Sequence, residues 1–210
     1  MRVLPTGPVS SDPLPQQRFA ALSAEAHPHS CRESHKKNLQ LIGLNDQDRR
    51  WVLKNPSHLV ALDALMKVYP DALVIQTHRD PRVAVASACS LSAESTRGWS
   101  TVFEGDVIGR TQLDMLAKAS ARFASERAKH DPSQFVDVYY DDFVADPVAT
   151  VRGIYSAFGL PWTPEVSRRV DALDADSRKG GRRPSHRYSL EDHGLTPEQV
   201  DERFADFPRG

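Results

Sequence analysis

The 210-residue chain has little of what would mark several protein classes. It holds two cysteines, Cys31 and Cys89, in segments that read as helix, without CxxC spacing and without clustered histidines. That pattern supports neither a disulfide framework nor a zinc site, and a reducing cytoplasm is the default compartment. No apolar run approaches the roughly 20 residues that span a bilayer, and the first thirty residues contain no hydrophobic region of the signal-peptide kind. Neither sign of charge is in excess, since 27 Lys and Arg face 28 Asp and Glu for a formal net charge of -1. This balance excludes a global field that recruits nucleic acid or a membrane surface. Glycine is scarce at the start, where only Gly7 and Gly43 precede Arg50.

Proline, in contrast, crowds the opening. Pro5, Pro8, Pro13, Pro15 and Pro28 lie among Ser, Ala and Gln, so residues 1–34 read as a weakly ordered leader. The remaining residues, 35–210, suffice for one α/β domain with a sizeable core. A short helix is expected over residues 31–42. Trp51-Val52-Leu53 is an apolar run suited to a buried parallel strand. Pro56 sits near the first turn of a helix in which Leu59, Leu62, Leu65 and Met66 recur at helical spacing. The run Ala72-Leu73-Val74-Ile75-Gln76-Thr77 is the strongest strand signal, and Asp80 followed by Pro81 is an N-cap with a first-turn proline, opening a helix to about Leu91. A long helix over residues 106–129, a strand over 135–139, and helices opened by Asp146-Pro147, Thr163-Pro164 and Thr196-Pro197 complete the pattern. Strands separated by such helices imply βαβ units and a parallel sheet, here with three good strands.

The chemistry concentrates where a strand ends in a basic residue and turns directly into a helix, at Thr77-His78-Arg79-Asp80-Pro81. A helix N-terminus offers free amides and partial positive charge, and an arginine adds a planar fork of donors matched to phosphate oxygens. Ser87 follows on the second turn, where its hydroxyl meets the same anion only if the entering loop folds back. The alternative has Arg79 paired with Asp80 or Asp71 and Ser87 chosen for helix packing; the residues alone leave both open. A second anion-binding candidate runs from Arg178 to Arg187, with five Lys or Arg, one His and no acid. A solvated loop explains it equally, and a nucleic-acid interface is the weaker reading given the balanced charge elsewhere.

The ordered motifs Arg50-Trp51-Val52-Leu53-Lys54-Asn55-Pro56-Ser57-His58, Tyr69-Pro70-Asp71-Ala72, and His78-Arg79-Asp80-Pro81 with Ser87 resemble the central signature of PAPS-dependent sulfotransferases, in the bacterial branch with W-x-L-K-x-P-x-H and H-R-D-P patterns. Tyr139-Tyr140-Asp141-Asp142-Phe143 with Asp146-Pro147 is similar to that family's Y-E-D-L…D-P segment. The run His186-Arg187-Tyr188-Ser189-Leu190-Glu191-Asp192, with Arg178-Lys179-Gly180 before it, resembles its C-terminal basic loop. The resemblance covers residues 35–207. It implies a P-loop-NTPase-like parallel sheet flanked by helices, and PAPS (3′-phosphoadenosine 5′-phosphosulfate) as co-substrate without a metal. It also implies cofactor-binding roles for Arg79 and Ser87 on the 3′-phosphate, Tyr140 near the adenine at a strand end, and Arg178, Lys179 and Gly180 in a closing loop.

The family's G-x-x-[RK]-[ST]-G-[ST]-T loop, which holds the 5′-phosphosulfate after an N-terminal strand, has no match here. Gly7 is hemmed by Pro5 and Pro8, and no Lys, Ser or Thr is placed to follow Gly43. The expectation is a chain carrying the C-terminal portion of the fold, with the N-terminal strand-loop-helix missing, and therefore either a truncated or impaired sulfotransferase or a non-catalytic nucleotide-binding remnant. Lys54 and His58 are the catalytic candidates. Lys54 would stabilise charge on the leaving phosphate or the sulfuryl oxygens, and His58 would act as general base, unless it is simply a helix-start histidine bonded to backbone. Trp99 and Phe103, in the loop after the nucleotide helix, hint at an apolar small-molecule acceptor such as a lipid, phenol or hydrophobic alcohol; the same rings read equally as core.

Overall fold

The computed structural model describes residues 28–45, 50–179 and 188–207. By their contacts these fall into two units. One takes in the described residues up to Pro56 together with Asp63–Pro70; the other takes in Ser57–Leu62 and everything described from Asp71 onward.

In the first unit, helix α1 (Pro28–Ile42) is tied to the end of helix α2 (Leu62–Val68). Lys36 donates to the Val68 carbonyl at 3.1 Å, and His35 Nδ1 and the Tyr69 hydroxyl share a hydrogen bond of 2.8 Å. Helix α1 thus begins inside the stretch read as a leader. The strand expected at Trp51-Val52-Leu53 does not form: these residues pair with no described segment, and Val52 is 89% exposed. An apolar run becomes a strand only where a neighbour supplies its hydrogen bonds. Among the described residues the sheet has two strands, where the sequence suggested three.

The second unit is built on those strands, β1 (Val74–His78) and β2 (Phe135–Tyr139). They run parallel and in register, with Val74 opposite Phe135 and His78 opposite Tyr139. Helices α3 (Pro81–Thr96) and α4 (Gly105–Arg127) and a 3-10 turn at Pro132–Gln134 connect them. Beyond β2 come α5 (Tyr140–Ala145), α6 (Pro147–Ala157), α7 (Pro164–Lys179), a 3-10 turn at Glu191–His193, and α8 (Pro197–Arg203). The family position expected to end a strand, Tyr140, instead opens α5, because the ladder closes at the His78–Tyr139 rung.

Helix starts follow one local rule. Asp80 accepts from the Arg82 amide at 2.8 Å, and Asp146 from the Ala149 amide at 2.8 Å. Thr196 and Gln199 close a capping box, and in each of these helices a proline takes the first turn, where its missing N–H leaves no intrahelical bond unmade. Helix α3 outruns its expected end near Leu91 as far as Thr96. The hydroxyls of Ser95 and Thr96 bond back to the Leu91 and Ser92 carbonyls, which satisfies the side chains without breaking the helix.

The core of this unit is mostly helical. Leu62, Val85, Cys89, Ile108 and Val200 are fully buried, with Phe103, Leu113, Phe123, Leu195 and Phe204 nearly so. Each such side chain contributes about 1.5–3 kcal/mol on leaving water. Helix α8 packs against both α3 and α4. Arg82 of α3 donates to Asp201, through Nε at 2.9 Å and through Nη2, and Arg203 donates to Asp114 of α4. Where the Glu191–His193 turn meets α4, contact is between backbones: a Cβ on Gly109 would lie 2.0 Å from the His193 carbonyl oxygen. Gly109→Ala should therefore cost about 2 kcal/mol or more in denaturant unfolding. Gly153→Ala, in α6 with nothing within 4 Å of the new methyl, should stabilise by up to about 1 kcal/mol in the same measurement.

Candidate nucleotide-binding site

The two strands end side by side, and each is followed at once by a helix. Arg79 is the residue after β1 and Tyr140 the residue after β2, so the parallel register brings these two together. The Arg79 guanidinium lies over the Tyr140 ring, 4.3 Å from its centroid. At that range the cation and the ring's negative face attract. Arg79, Asp80, Val83, Tyr140 and Asp141 line a cleft of about 230 Å³.

The pairing of Arg79 with Asp80 or Asp71, open from the sequence, does not occur. No described carboxylate forms an ion pair with Arg79, and Asp80 is occupied in capping α3. In the first turn of α3, Pro81 has no N–H, Arg82 donates to the Asp80 side chain, and Ala84 to the Asp80 carbonyl at 3.0 Å. The Val83 amide has no described acceptor and belongs to a residue lining the cleft. A guanidinium without a carboxylate, an open amide and the positive end of a 16-residue helix suit an anion.

Ser87, half-buried on the second turn of α3, does not line this cleft. Arg178 and Lys179 end α7 as exposed side chains, the first paired with Asp174 at 2.8 Å and the second 3.9 Å from Asp176. Gly180 and the rest of the basic stretch to Arg187 lie outside the described residues. Lys54 is exposed in a segment of the first unit outside helix and strand, and His58, in the second, is half-buried in the 3-10 turn Pro56–Val60. Of the two loop aromatics, Phe103 is core at 3% exposure and Trp99 stands in solvent at 90%.

Beneath the cleft runs a polar chain that the sequence reading did not identify. His78 Nε2 donates to Asp137 Oδ1 at 2.6 Å, and its ring stacks on Tyr139 with centroids 4.9 Å apart. Arg127, at the end of α4, donates to both oxygens of Asp137 at 2.6 and 2.7 Å and also to Gln76. The available signal was Asp137 itself, a lone carboxylate in the otherwise apolar strand Phe135-Val136-Asp137-Val138-Tyr139. Such a residue keeps its place in a strand only with partners. The Arg127 guanidinium above all, aided by His78, holds the Asp137 carboxyl down at about 2.

Strand, basic turn and capped helix define an α/β domain with a cleft suited to an anion, and comparison with known proteins gives its family. The family model described as the sulfotransferase family matches residues 10–164, and the chain belongs to that family. It is similar to the crystal structure of sulfotransferase STF1 from Mycobacterium tuberculosis, with 51% identity and a TM-score of 0.72, covering 82% of this chain and 44% of that one. It is also similar to sulfotransferase STF9 from Mycobacterium avium, with 30% identity and a TM-score of 0.80, covering 92% of this chain and 50% of that one. Omega-hydroxy-beta-dihydromenaquinone-9 sulfotransferase Stf3 of Mycobacterium bovis is 31% identical over 114 residues, 52% of this chain and 28% of the relative. The chain thus spans about half the length of the solved structures and under a third of Stf3. The fold class is α/β, with a P-loop-NTPase-like parallel sheet flanked by helices. Among the described residues no group of His, Cys, Asp and Glu is arranged to hold a metal ion, and no helix is long and apolar enough to cross a membrane.

The depressed Asp137 pKa sets a pH dependence. Its carboxyl titrates at about 2 in the folded chain against 3.8 ordinarily. The stabilisation is therefore complete above the ordinary value and lost as pH falls through about 2. Asp137→Asn should lower the urea midpoint most at neutral pH, by the equivalent of about 1 kcal/mol for a half-exposed pair. The gap to wild type should narrow steadily between pH 4 and pH 2.

Proposed function

We propose that this chain carries the 3′-phosphate-binding part of a sulfotransferase that moves a sulfuryl group from PAPS to a hydroxyl or amine acceptor. The observation that carries the reading is Arg79, held 4.3 Å over the Tyr140 ring beside the open amide of Val83 and paired with no described carboxylate. This arrangement fits the 3′-phosphate end of the nucleotide. Arg79 and the α3 N-terminus grip the phosphate, and the Ser87 hydroxyl, outside the cleft as it stands, joins them only when the loop entering α3 folds back over it. Tyr140 borders the adenine, and Arg178, Lys179 and Gly180 belong to the loop that closes over the same phosphate.

When bound, PAPS supplies the activated sulfuryl group: an acceptor oxygen bonds to sulfur as the bond from sulfur to the 5′-phosphate oxygen breaks, releasing adenosine 3′,5′-bisphosphate. Lys54 offsets the negative charge that builds on the leaving oxygen or on the sulfuryl oxygens. His58 takes the acceptor's proton as general base. For the acceptor we propose a small apolar alcohol. Support comes from the menaquinone-derived substrate in the printed name of the Mycobacterium bovis relative, and from Trp99 and Val102, exposed in the loop between α3 and α4. The reaction belongs in the cytoplasm on this reading, in keeping with Cys89 as a buried free thiol.

Calorimetric titration with adenosine 3′,5′-bisphosphate tests the anchor. Wild type should bind, and Arg79→Ala should weaken binding roughly thirtyfold, the equivalent of about 2 kcal/mol for a charge-assisted contact. A folded wild-type chain that does not bind removes the reading. With binding established, transfer of labelled sulfate to hydrophobic alcohols should fall at least a hundredfold in His58→Ala. Binding without transfer to any acceptor, in the wild type, would leave a non-catalytic nucleotide-binding member of the family.

A further inference from the structure

Two residues of the polar chain, His78 and its stacking partner Tyr139, each sit one step from a residue that lines the cleft. His78 and Tyr139 form the last rung of the β1–β2 ladder, and the next residue on each side is Arg79 or Tyr140. The distance between the guanidinium and the ring is therefore governed by how firmly that rung is held. Two residues in a parallel pair have only slanted, evenly spaced backbone bonds to hold them, and the last rung of a strand has neighbours on one side alone. Here side chains add the missing restraint. Asp137 receives His78 from across the ladder and both arms of Arg127 from the end of α4, while Arg127 also reaches Gln76 on β1. His78 is further pinned by its stack on Tyr139, with the ring planes at 24°. The side chain of His78 is 10% exposed and that of Arg127 27%, so the chain works partly shielded from water, where such bonds are stronger than at an open surface.

We infer that His78, Asp137 and Arg127 are positioning residues for the nucleotide site: they lock the last rung so that Arg79 and Tyr140 present one fixed geometry to a 3′-phosphate. This deepens the function proposed above and rests on it. None of the three touches the nucleotide; they act through the two residues that do. Other arrangements would hold the strands together equally well, since apolar pairs such as Val74 with Phe135 already serve at the opposite end. What the polar chain adds is direction, because the His78 ring and the bidentate Arg127–Asp137 pair each admit one orientation.

The test compares two ligands on the full chain, adenosine 3′,5′-bisphosphate and adenosine 5′-monophosphate, whose affinity ratio reports the 3′-phosphate alone. In His78→Ala the ratio should drop about tenfold, with any loss of monophosphate affinity through Tyr140 much smaller than the loss of bisphosphate affinity. A merely structural loss would lower both affinities together. His78→Gln keeps a donor near the Nε2 position and should recover most of the ratio. Placed in an Arg79→Ala background, His78→Ala should change the ratio no further, since the positioned group is already gone. If His78→Ala proves too unstable to titrate, Asp137→Asn takes its place, with the same drop expected. An unchanged ratio in a folded His78→Ala or Asp137→Asn chain overturns the inference while leaving the anchor role of Arg79 intact. A wild-type ratio near one removes the 3′-phosphate reading itself, and the positioning role with it.

Discussion

One carboxylate carries more of this architecture than its place in a five-residue strand suggests. Asp137 accepts from a residue on the neighbouring strand and from a residue at the end of α4, so it joins β1, β2 and α4 at a single point. The joint is electrostatic, which makes it directional as well as cohesive. On the same side of the ladder lie Gln76, His78 and Tyr139, an unusually polar set for a parallel sheet, whose faces are ordinarily apolar under covering helices. That polarity is tolerable because its members satisfy one another. The strand ends, the turns that leave them and the cleft above all inherit their placement from this cluster.

Much of the chain's organisation was legible because its punctuation is local. Asp80-Pro81, Asp146-Pro147 and Thr196-Pro197 each open a helix through bonds made within three residues, so no distant information was needed to place them. The strand Phe135–Tyr139 and the candidate Arg79 were likewise readable, one from its apolar run and the other from the strand-to-helix turn. What failed depended on partners. Trp51-Val52-Leu53 has strand composition but no hydrogen-bonded neighbour among the described residues, and composition cannot report a neighbour. The extent of α3 past Leu91 turned on two hydroxyls folding back onto carbonyls, and the helix at Tyr140–Ala145 on a ladder that stops one residue early. The chain from His78 through Asp137 to Arg127 joins positions up to 59 residues apart, and only the odd carboxylate in β2 announced it.

Two demands on the second unit are kept apart in space and in kind. Its stability comes from apolar packing among α3, α4 and α8, sealed by the close backbone contact at Gly109 and by the Arg82–Asp201 and Arg203–Asp114 pairs. The chemistry proposed for recognition lies at the strand ends, on residues half-buried or exposed. Helix α3 serves both, with its N-terminus at the cleft and its middle, at Val85 and Cys89, in the core. Ile75, by contrast, is 46% exposed in the middle of β1, whereas Phe135 and Val138 of β2 are buried.

Cys89 gives that helix a built-in reporter. Its thiol has no solvent exposure, and burial pushes its pKa up to about 11, so in the native chain this sulfur is almost never a reactive thiolate. Alkylating reagents must wait for α3 to part from its neighbours before they can modify it. The labelling rate of this one atom therefore counts openings of the helix that carries the Arg79 cleft at its tip. A ligand anchored there would be felt as slower labelling ten residues away, without touching the sulfur.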